Sequence, residues 1–219
     1  MATRTQRRDD DAETRFKPTH ASRRFPPEVL TDIEVRLLMD ACGTRPWTAV
    51  RNRTLIALLY RSGLRIAEAL ALRPVDVMFR PDPSGACSAA IRVLCGKGGK
   101  ARTIGIDVGG TAILTEWMKF REYLGFTPGQ PLICTKDGNQ MATAAVRRLF
   151  PTLAARGGLV RRVHAHGLRH THASQLREEG LDIGLISKQL GHSSIKTTAR
   201  YLDHIAPMAV IEAIGKRHW

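Results

Sequence analysis

The hydrophobic pattern of the chain predicts a mostly helical protein. Over most of its length apolar residues recur every three or four positions, the spacing that gives a helix one buried face. Thr31-Asp32-Ile33-Glu34 fits a capping box and marks the first helix start. Further helices are predicted at 47–62, over a short segment that carries Arg65 and Glu68 and stops before Pro74, and at 111–123, 141–156, 166–179, 182–190, 194–203 and 207–214.

A different pattern occupies the middle of the chain. Residues 90–94 and 101–106 alternate between apolar and polar with a period near two, which is typical of strands. The glycine-rich segment Gly96-Lys97-Gly98-Gly99 between them predicts the tip of a hairpin. The predicted fold class is therefore mainly α (α+β), with a small antiparallel sheet of at most three strands.

The beginning of the chain has a composition that does not support a core. Residues 1–24 contain seven Arg or Lys and four Asp or Glu with almost no apolar side chain, which predicts a disordered basic tail. Phe25-Pro26-Pro27 marks the boundary, so the folded domain is predicted to cover 25–219. The chain has no secretory signal and no apolar run of roughly 18 residues, and we therefore expect a cytoplasmic protein without a membrane span.

The charge balance indicates a polyanionic partner. Lys plus Arg number 34 against 20 Asp plus Glu, a formal net charge of +14 with a pI near 10.5. Such an excess repels itself unless a polyanion relieves it, and neutralising phosphates releases counterions from nucleic acid. The four cysteines form no CxxC pair, which suits a reducing compartment.

Six side chains that can act on a phosphodiester occur in a fixed order along this basic chain. They are Arg65, Lys97, His166, Arg169, His192 and Tyr201. A phenol that attacks a phosphodiester forms a phosphotyrosyl bond, which is itself a phosphodiester and conserves the linkage energy. Tyr201 is therefore the candidate nucleophile, and no ATP is needed.

The other five residues have complementary predicted roles. Arg65 and Arg169 each offer a rigid donor fork, and His192 a further donor, to the negative oxygens of the transition state. Lys97, on the hairpin, is the predicted general acid that protonates the departing 5′ oxygen. His166 lies three residues before Arg169, hence on the same helical face. It either takes the tyrosine proton or orients the phosphate, and the spacing does not separate these roles.

The ordered motifs resemble the tyrosine recombinase (phage integrase) family. They are Gly63-Leu64-Arg65-Ile66-Ala67-Glu68, Gly96-Lys97-Gly98, His166-Gly167-Leu168-Arg169-His170, Leu190-Gly191-His192 and Tyr201. A single HxxR is weak, but the ordered set, with nine residues from His192 to Tyr201, is very specific. The resemblance covers about residues 29–204 and implies a helical catalytic domain.

The resemblance also implies a reaction and partners. Similar enzymes cut double-stranded DNA one strand at a time, leave a 3′-phosphotyrosine and exchange strands through a Holliday junction, without metal or another cofactor. They act as tetramers on two DNA sites, so a homotetramer is expected here, with a partner recombinase or a DNA-bending protein as a further possibility. Glu68 is implied to brace Arg65, and the segment 205–214 to dock on a neighbouring protomer. Lys100 and Arg102 are predicted to contact DNA.

One feature departs from the family pattern, since relatives usually carry a helical core-binding domain before the catalytic domain. Here only the short tail precedes Val29. Three interpretations stay open at this point: a minimal recombinase, a chain that needs a partner, or a fragment.

Three competing interpretations use the same residues. Ile183 to His192 and the helix after them resemble a helix-turn-helix, the signature of a non-catalytic DNA-binding protein, but such a protein needs no Tyr201 or Arg65. A type IB topoisomerase shares the chemistry and lacks ordered synapsis. A metal site in the histidine cluster 164–172 is disfavoured, because no carboxylate or cysteine completes the ligand set.

Overall fold

A computed structural model describes residues 29–94, 101–192, 194–205 and 215 of the chain. These residues form eight α-helices, one 3-10 helix at Pro74–Asp76 and three strands. The helices are α1 (Asp32–Asp40), α2 (Pro46–Arg61), α3 (Ile66–Ala71), α4 (Val108–Tyr123), α5 (Thr143–Arg156), α6 (Ala165–Glu178), α7 (Ile183–Leu190) and α8 (Ile195–Ile205). The strands are β1 (Val77–Pro81), β2 (Cys87–Val93) and β3 (Arg102–Ile106). The mainly helical fold class is confirmed.

The helix boundaries follow from local capping. At α1 the predicted capping box is present: the Glu34 amide donates to Thr31 Oγ1 at 3.2 Å, and the Thr31 amide donates to Glu34 Oε2 at 2.8 Å. Helix α4 starts three residues earlier than predicted, because the Asp107 carboxylate accepts from the Gly110 amide at 2.8 Å and caps the helix there. Arg65 precedes α3 as its N-cap instead of lying within it.

The sheet is a three-stranded antiparallel meander in the order β1-β2-β3. The two predicted strands correspond to β2 and β3, which pair with Ile91 opposite Ile104. Strand β1 was not predicted, because Val77 is its only buried residue and the strand therefore lacks the alternation that identifies a half-buried strand. Within the described chain β3 pairs only with β2, so its other side is an edge of the sheet.

Two apolar clusters hold the fold together. The larger one joins α1 to α5 and the start of α6 with the sheet. It contains the buried Trp117, whose indole N–H donates to the Leu132 carbonyl at 2.8 Å. The smaller one lies among α6, α7 and α8 and consists of Ala173, Ile186, Leu190 and Leu202. The predicted site lies where α6, the end of α7 and the turn after α2 meet.

Several predictions concern residues outside the described ranges. They are the disordered tail at 1–24, the hairpin tip at 96–99 and the last helix at 207–214 with its docking role. Among the described helices, none combines the length and the apolar content that crossing a bilayer requires.

Candidate active site

Arg169 lies at the centre of the predicted site. It belongs to α6 and is only 2% exposed. Its guanidinium donates to the Gly63 carbonyl and, at 2.6 Å, to the Leu190 carbonyl. Its Nη2 also lies 3.2 Å from His192 Nε2. One arginine therefore connects the turn after α2 with the end of α7 and with the second predicted histidine.

Arg65 reaches the same helix end from the other side. Its Nη2 donates to the Gly191 carbonyl at 3.3 Å, and its Nη1 donates to Glu68 Oε1 at 2.9 Å. The C-terminus of a helix carries unpaired carbonyls and a partial negative charge, which favour nearby cations. The end of α7 thus holds the two predicted phosphate-binding arginines side by side.

Glu68 is bound by two arginines, as the predicted bracing role requires. It accepts from Arg65, and its two oxygens accept from Arg102 at 2.9 and 2.8 Å. Arg102 was expected to contact DNA, but its side chain is 15% exposed and its guanidinium pairs with Glu68. The structure therefore gives Arg102 a bracing position beside Arg65, and its DNA contact stays a prediction.

The ion pairs set the protonation state of Glu68. Burial alone would raise the pKa of this carboxyl, but hydrogen bonds from Arg102 and from the Arg65 backbone and side chain lower the pKa to about 2. Because the pKa is lower in the folded state, the contribution of Glu68 to stability is complete above its unfolded value of about 4.3 and is lost as the pH falls toward 2.

Replacing Glu68 with Gln should remove this pH-dependent stability. At neutral pH we expect the free energy of unfolding to fall by on the order of 3 kcal/mol, since a bidentate ion pair is broken and two arginines lose their counter-charge. The gap between wild type and variant should narrow as the pH is lowered below about 4. Urea unfolding of both proteins at several pH values measures this, and a gap that is independent of pH would contradict it.

Gly191 is the reason why Arg102 can approach the end of α7. It ends the helix in the left-handed region with φ of 65°, and the next residue, His192, donates its amide to the Ser187 carbonyl at 3.0 Å. A Cβ on Gly191 would overlap the guanidinium of Arg102. The Leu-Gly-His motif therefore fixes His192 and leaves space for Arg102.

Replacing Gly191 with Ala should destabilise the protein through two separate effects. The positive φ costs about 1 kcal/mol or more for a residue with a Cβ, and the overlap with Arg102 adds about 1–3 kcal/mol. Gly158 offers a matched control, because its φ is 68° and a Cβ there meets nothing within 4 Å. Urea unfolding should show a larger loss for Gly191→Ala than for Gly158→Ala, and equal losses would argue against the overlap.

His192 is held between Arg169 and α8. Its Nδ1 lies 2.8 Å from Thr198 Oγ1, and Thr198 is fully buried. Since arginine can only donate, His192 Nε2 accepts from Arg169 in this arrangement, and Nδ1 then carries the proton. Burial and the charges of Arg169, Arg65 and Arg102 lower the pKa of His192 to about 4. The imidazole is therefore neutral at physiological pH.

His166 lies near Arg169 on α6 with an exposed side chain. Neighbouring protein removes part of its water shell, and this, together with the charges of Arg169, His164 and Arg65, lowers its pKa. Its ring packs edge-on against His170, with 4.2 Å between the centroids. The neutral imidazole is the form that a proton acceptor requires.

The remaining predicted residues are described less fully. The backbone of Tyr201 lies on α8, one helical turn after Thr198, which contacts His192. Lys97 and Lys100 fall outside the described residues, between the ends of β2 and β3. The structure thus brings Arg65, Arg169 and His192 together, with His166 beside them, and places the backbone of Tyr201 nearby.

Some participants had no signal in the sequence. The carbonyls of Gly63, Leu190 and Gly191 hold the arginines, and every residue has a carbonyl. Thr198 carries only a weak signal. It lies four positions before the buried Leu202, so a polar residue occupies the same helix face as an apolar one. In the described part of the chain no three His, Cys, Asp or Glu side chains are grouped as metal ligands.

The comparisons with known proteins identify the family. The family model "Phage integrase family" matches residues 28–206, most of the chain. The chain therefore belongs to the phage integrase family, which confirms the resemblance. It is 35% identical over 185 residues to tyrosine recombinase XerC of Rhodospirillum centenum, covering 84% of this chain and 52% of that protein. It is also 35% identical over 178 residues to XerC of Rhizobium meliloti, which covers 80% of this chain and 53% of that protein.

Solved structures share the fold. XerA recombinase superposes with a TM-score of 0.72 at 25% identity, over 89% of this chain and 67% of that one. XerH site-specific recombinase, in a post-cleavage complex with its difH substrate, superposes with a TM-score of 0.70 at 26% identity. The match covers 88% of this chain and 54% of the XerH chain. The chain spans about half the length of the XerC relatives it matches.

Proposed function

We propose that this protein is a site-specific DNA recombinase that cuts and rejoins DNA through Tyr201. The main supporting observation is that Arg65 and Arg169 converge on the carbonyl end of α7 beside His192. Two guanidinium groups held by backbone and by Glu68 are preorganised for a phosphate and need little rearrangement when charge develops on it. Membership in the phage integrase family supports the same chemistry.

In the proposed reaction, the Tyr201 phenol oxygen attacks the phosphorus of one DNA strand. A bond from phosphorus to the tyrosine oxygen forms, and the bond from phosphorus to the 5′ oxygen breaks. His166 accepts the phenol proton, and Lys97 donates a proton to the 5′ oxygen. The products are a 3′-phosphotyrosine and a free 5′ hydroxyl. Attack by a 5′ hydroxyl on this linkage reverses the steps, so no ATP is consumed. Because Arg65 and Arg169 supply the charge that stabilises the transition state, we propose that the reaction uses no metal or other cofactor.

The proposed partner is double-stranded DNA. An arginine-rich cleft of about 660 Å³ lies between the start of α2 and α5. It adds positive charge that suits the phosphate backbone of DNA. Its arginines are Arg45, Arg51, Arg148 and Arg156.

We further propose a homotetramer on two DNA sites in the cytoplasm, with a partner recombinase or bending protein where a site requires one. Exchange between two sites distinguishes this function from that of a topoisomerase.

A covalent-trap assay tests the proposal. The protein is incubated in EDTA with supercoiled plasmid that carries the DNA flanking its gene, and the reaction is stopped with detergent. A protein–DNA adduct that depends on Tyr201 supports phosphotyrosyl chemistry. Specific binding to this DNA with no adduct in wild type would instead favour the helix-turn-helix-like binding protein.

A further inference from the structure

The amide of Gln189 joins three segments of the chain. Its Oε1 accepts from the Gly105 amide at 3.0 Å, and its Nε2 donates to the Gly105 carbonyl at 2.8 Å and to the Ser62 carbonyl at 3.1 Å. Both hydrogens of Nε2 thus have an acceptor. The side chain of one residue of α7 therefore binds β3 and the end of α2 together.

The contact with Gly105 covers the edge of the sheet. Gly105 lies opposite Ala90 in the register of β2 and β3, and both of its backbone polar groups bond to Gln189. In an antiparallel pair every second residue directs its amide and carbonyl away from the partner strand. The Gln189 amide binds these outward groups as a neighbouring strand would, which fixes β3 against α7.

Each of the three segments also supports an arginine of the site. Three residues before Gly105 on β3 lies Arg102, which holds Glu68. Ser62 precedes Gly63, whose carbonyl accepts from Arg169. Gln189 itself precedes Leu190, whose carbonyl also accepts from Arg169. A relative movement of these segments would therefore shift the guanidinium groups that the proposed reaction uses.

We propose that Gln189 is a positioning residue for DNA cleavage. It keeps β3, with Arg102 and Glu68, in register with the end of α7, and through them it sets the places of Arg65 and Arg169. This inference rests on the proposed recombinase function. Misplacing groups at a reacting centre by about 1 Å can cost about 100-fold in rate, so loss of the three bonds should slow cleavage at saturating DNA while leaving DNA affinity nearly unchanged.

The test compares Gln189→Leu with Gln175→Leu in the full chain. Gln175 is a matched control, because its side-chain amide also connects separate elements. Its Nε2 donates to Asp32 Oδ1 and to the Tyr60 hydroxyl, each at 2.7 Å, and neither partner is an arginine of the site. Single-turnover formation of the covalent adduct is measured at saturating DNA, and binding is measured separately. We expect Gln189→Leu to slow adduct formation by about tenfold or more with a Kd within about twofold of wild type. Gln175→Leu should keep the wild-type rate.

Other results would overturn the inference. Equal rates for the two leucine variants, or a loss confined to DNA affinity, would leave Gln189 a structural residue. If Gln189→Leu does not fold, Gln189→Glu takes its place, since it keeps the acceptor for Gly105 and loses both donors; a wild-type rate for it would be equally decisive against a positioning role. Absence of an adduct in wild type would instead contradict the proposed function, and the inference with it.

Discussion

Replacing Tyr201 with Phe should abolish the covalent protein–DNA adduct. The substitution removes only the phenol oxygen, which in the proposed reaction becomes bonded to phosphorus. We expect adduct formation to fall by at least about 10⁴-fold, as in other enzymes that lose a covalent nucleophile. DNA binding should persist, because arginine charge supplies most of the affinity. Gel analysis of detergent-stopped reactions measures the adduct, and a mobility-shift assay measures binding.

The chain offers an internal control for this experiment. Of its three tyrosines, Tyr123 is 84% exposed at the end of α4. Its phenol is accessible but lies on a different element from the predicted site, so Tyr123→Phe should form adduct at the wild-type level. An adduct that persists in Tyr201→Phe would remove Tyr201 as the nucleophile.

Replacing Arg169 with Ala should slow cleavage by about 100- to 1,000-fold, because a preorganised charged donor is lost from the transition state. The same change leaves the Gly63 and Leu190 carbonyls without their guanidinium partner. Each such loss costs about 1–3 kcal/mol in a buried setting. We therefore expect a lower melting temperature together with the lower rate, both measured on the same preparation.

Two further variants separate these effects. Arg169→Lys keeps the charge but cannot reproduce a planar fork, so it should recover part of the stability and little of the rate. Arg177→Ala, in the last turn of the same helix, removes a charge away from the cluster and should leave cleavage unchanged. Cleavage by Arg169→Ala at the wild-type rate, in protein shown to be folded, would exclude Arg169 from the catalytic set.

Much of the fold was predictable because helices leave a repeating mark on a sequence. The spacing of apolar residues in α2 and α6, and the glycines after α2 and α7, fixed those helices to within about two residues. Strand β1 was missed because four of its five residues are exposed. Its position depends on pairing with β2, a tertiary contact with no local pattern.

For the candidate site, the identity and order of the reactive residues could be predicted from the sequence. The contacts that hold these residues in place could not. Arg65, Arg169 and His192 were predicted from spacing and do converge in the structure. The bidentate pair of Arg102 with Glu68 joins residues 34 apart in sequence, and Gln189 reaches Gly105 across 84. Such contacts arise when separate elements pack, so no short-range spacing encodes them.

The small apolar cluster among α6, α7 and α8 has an energetic consequence for the helix that bears Tyr201. Helix α8 contributes Leu202 to that cluster, and burying one leucine is worth about 1.5–3 kcal/mol. A whole domain is stable by about 5–15 kcal/mol. Among the described side chains of α8, the buried ones are Leu202 and Thr198, and Thr198 also contacts His192 at 2.8 Å. The docking of α8 on α6 and α7 therefore depends on few contacts, and we expect it to open at a lower free energy than the main core. We therefore expect that a neighbouring molecule which binds α8 in a displaced position would also displace Tyr201, the proposed nucleophile.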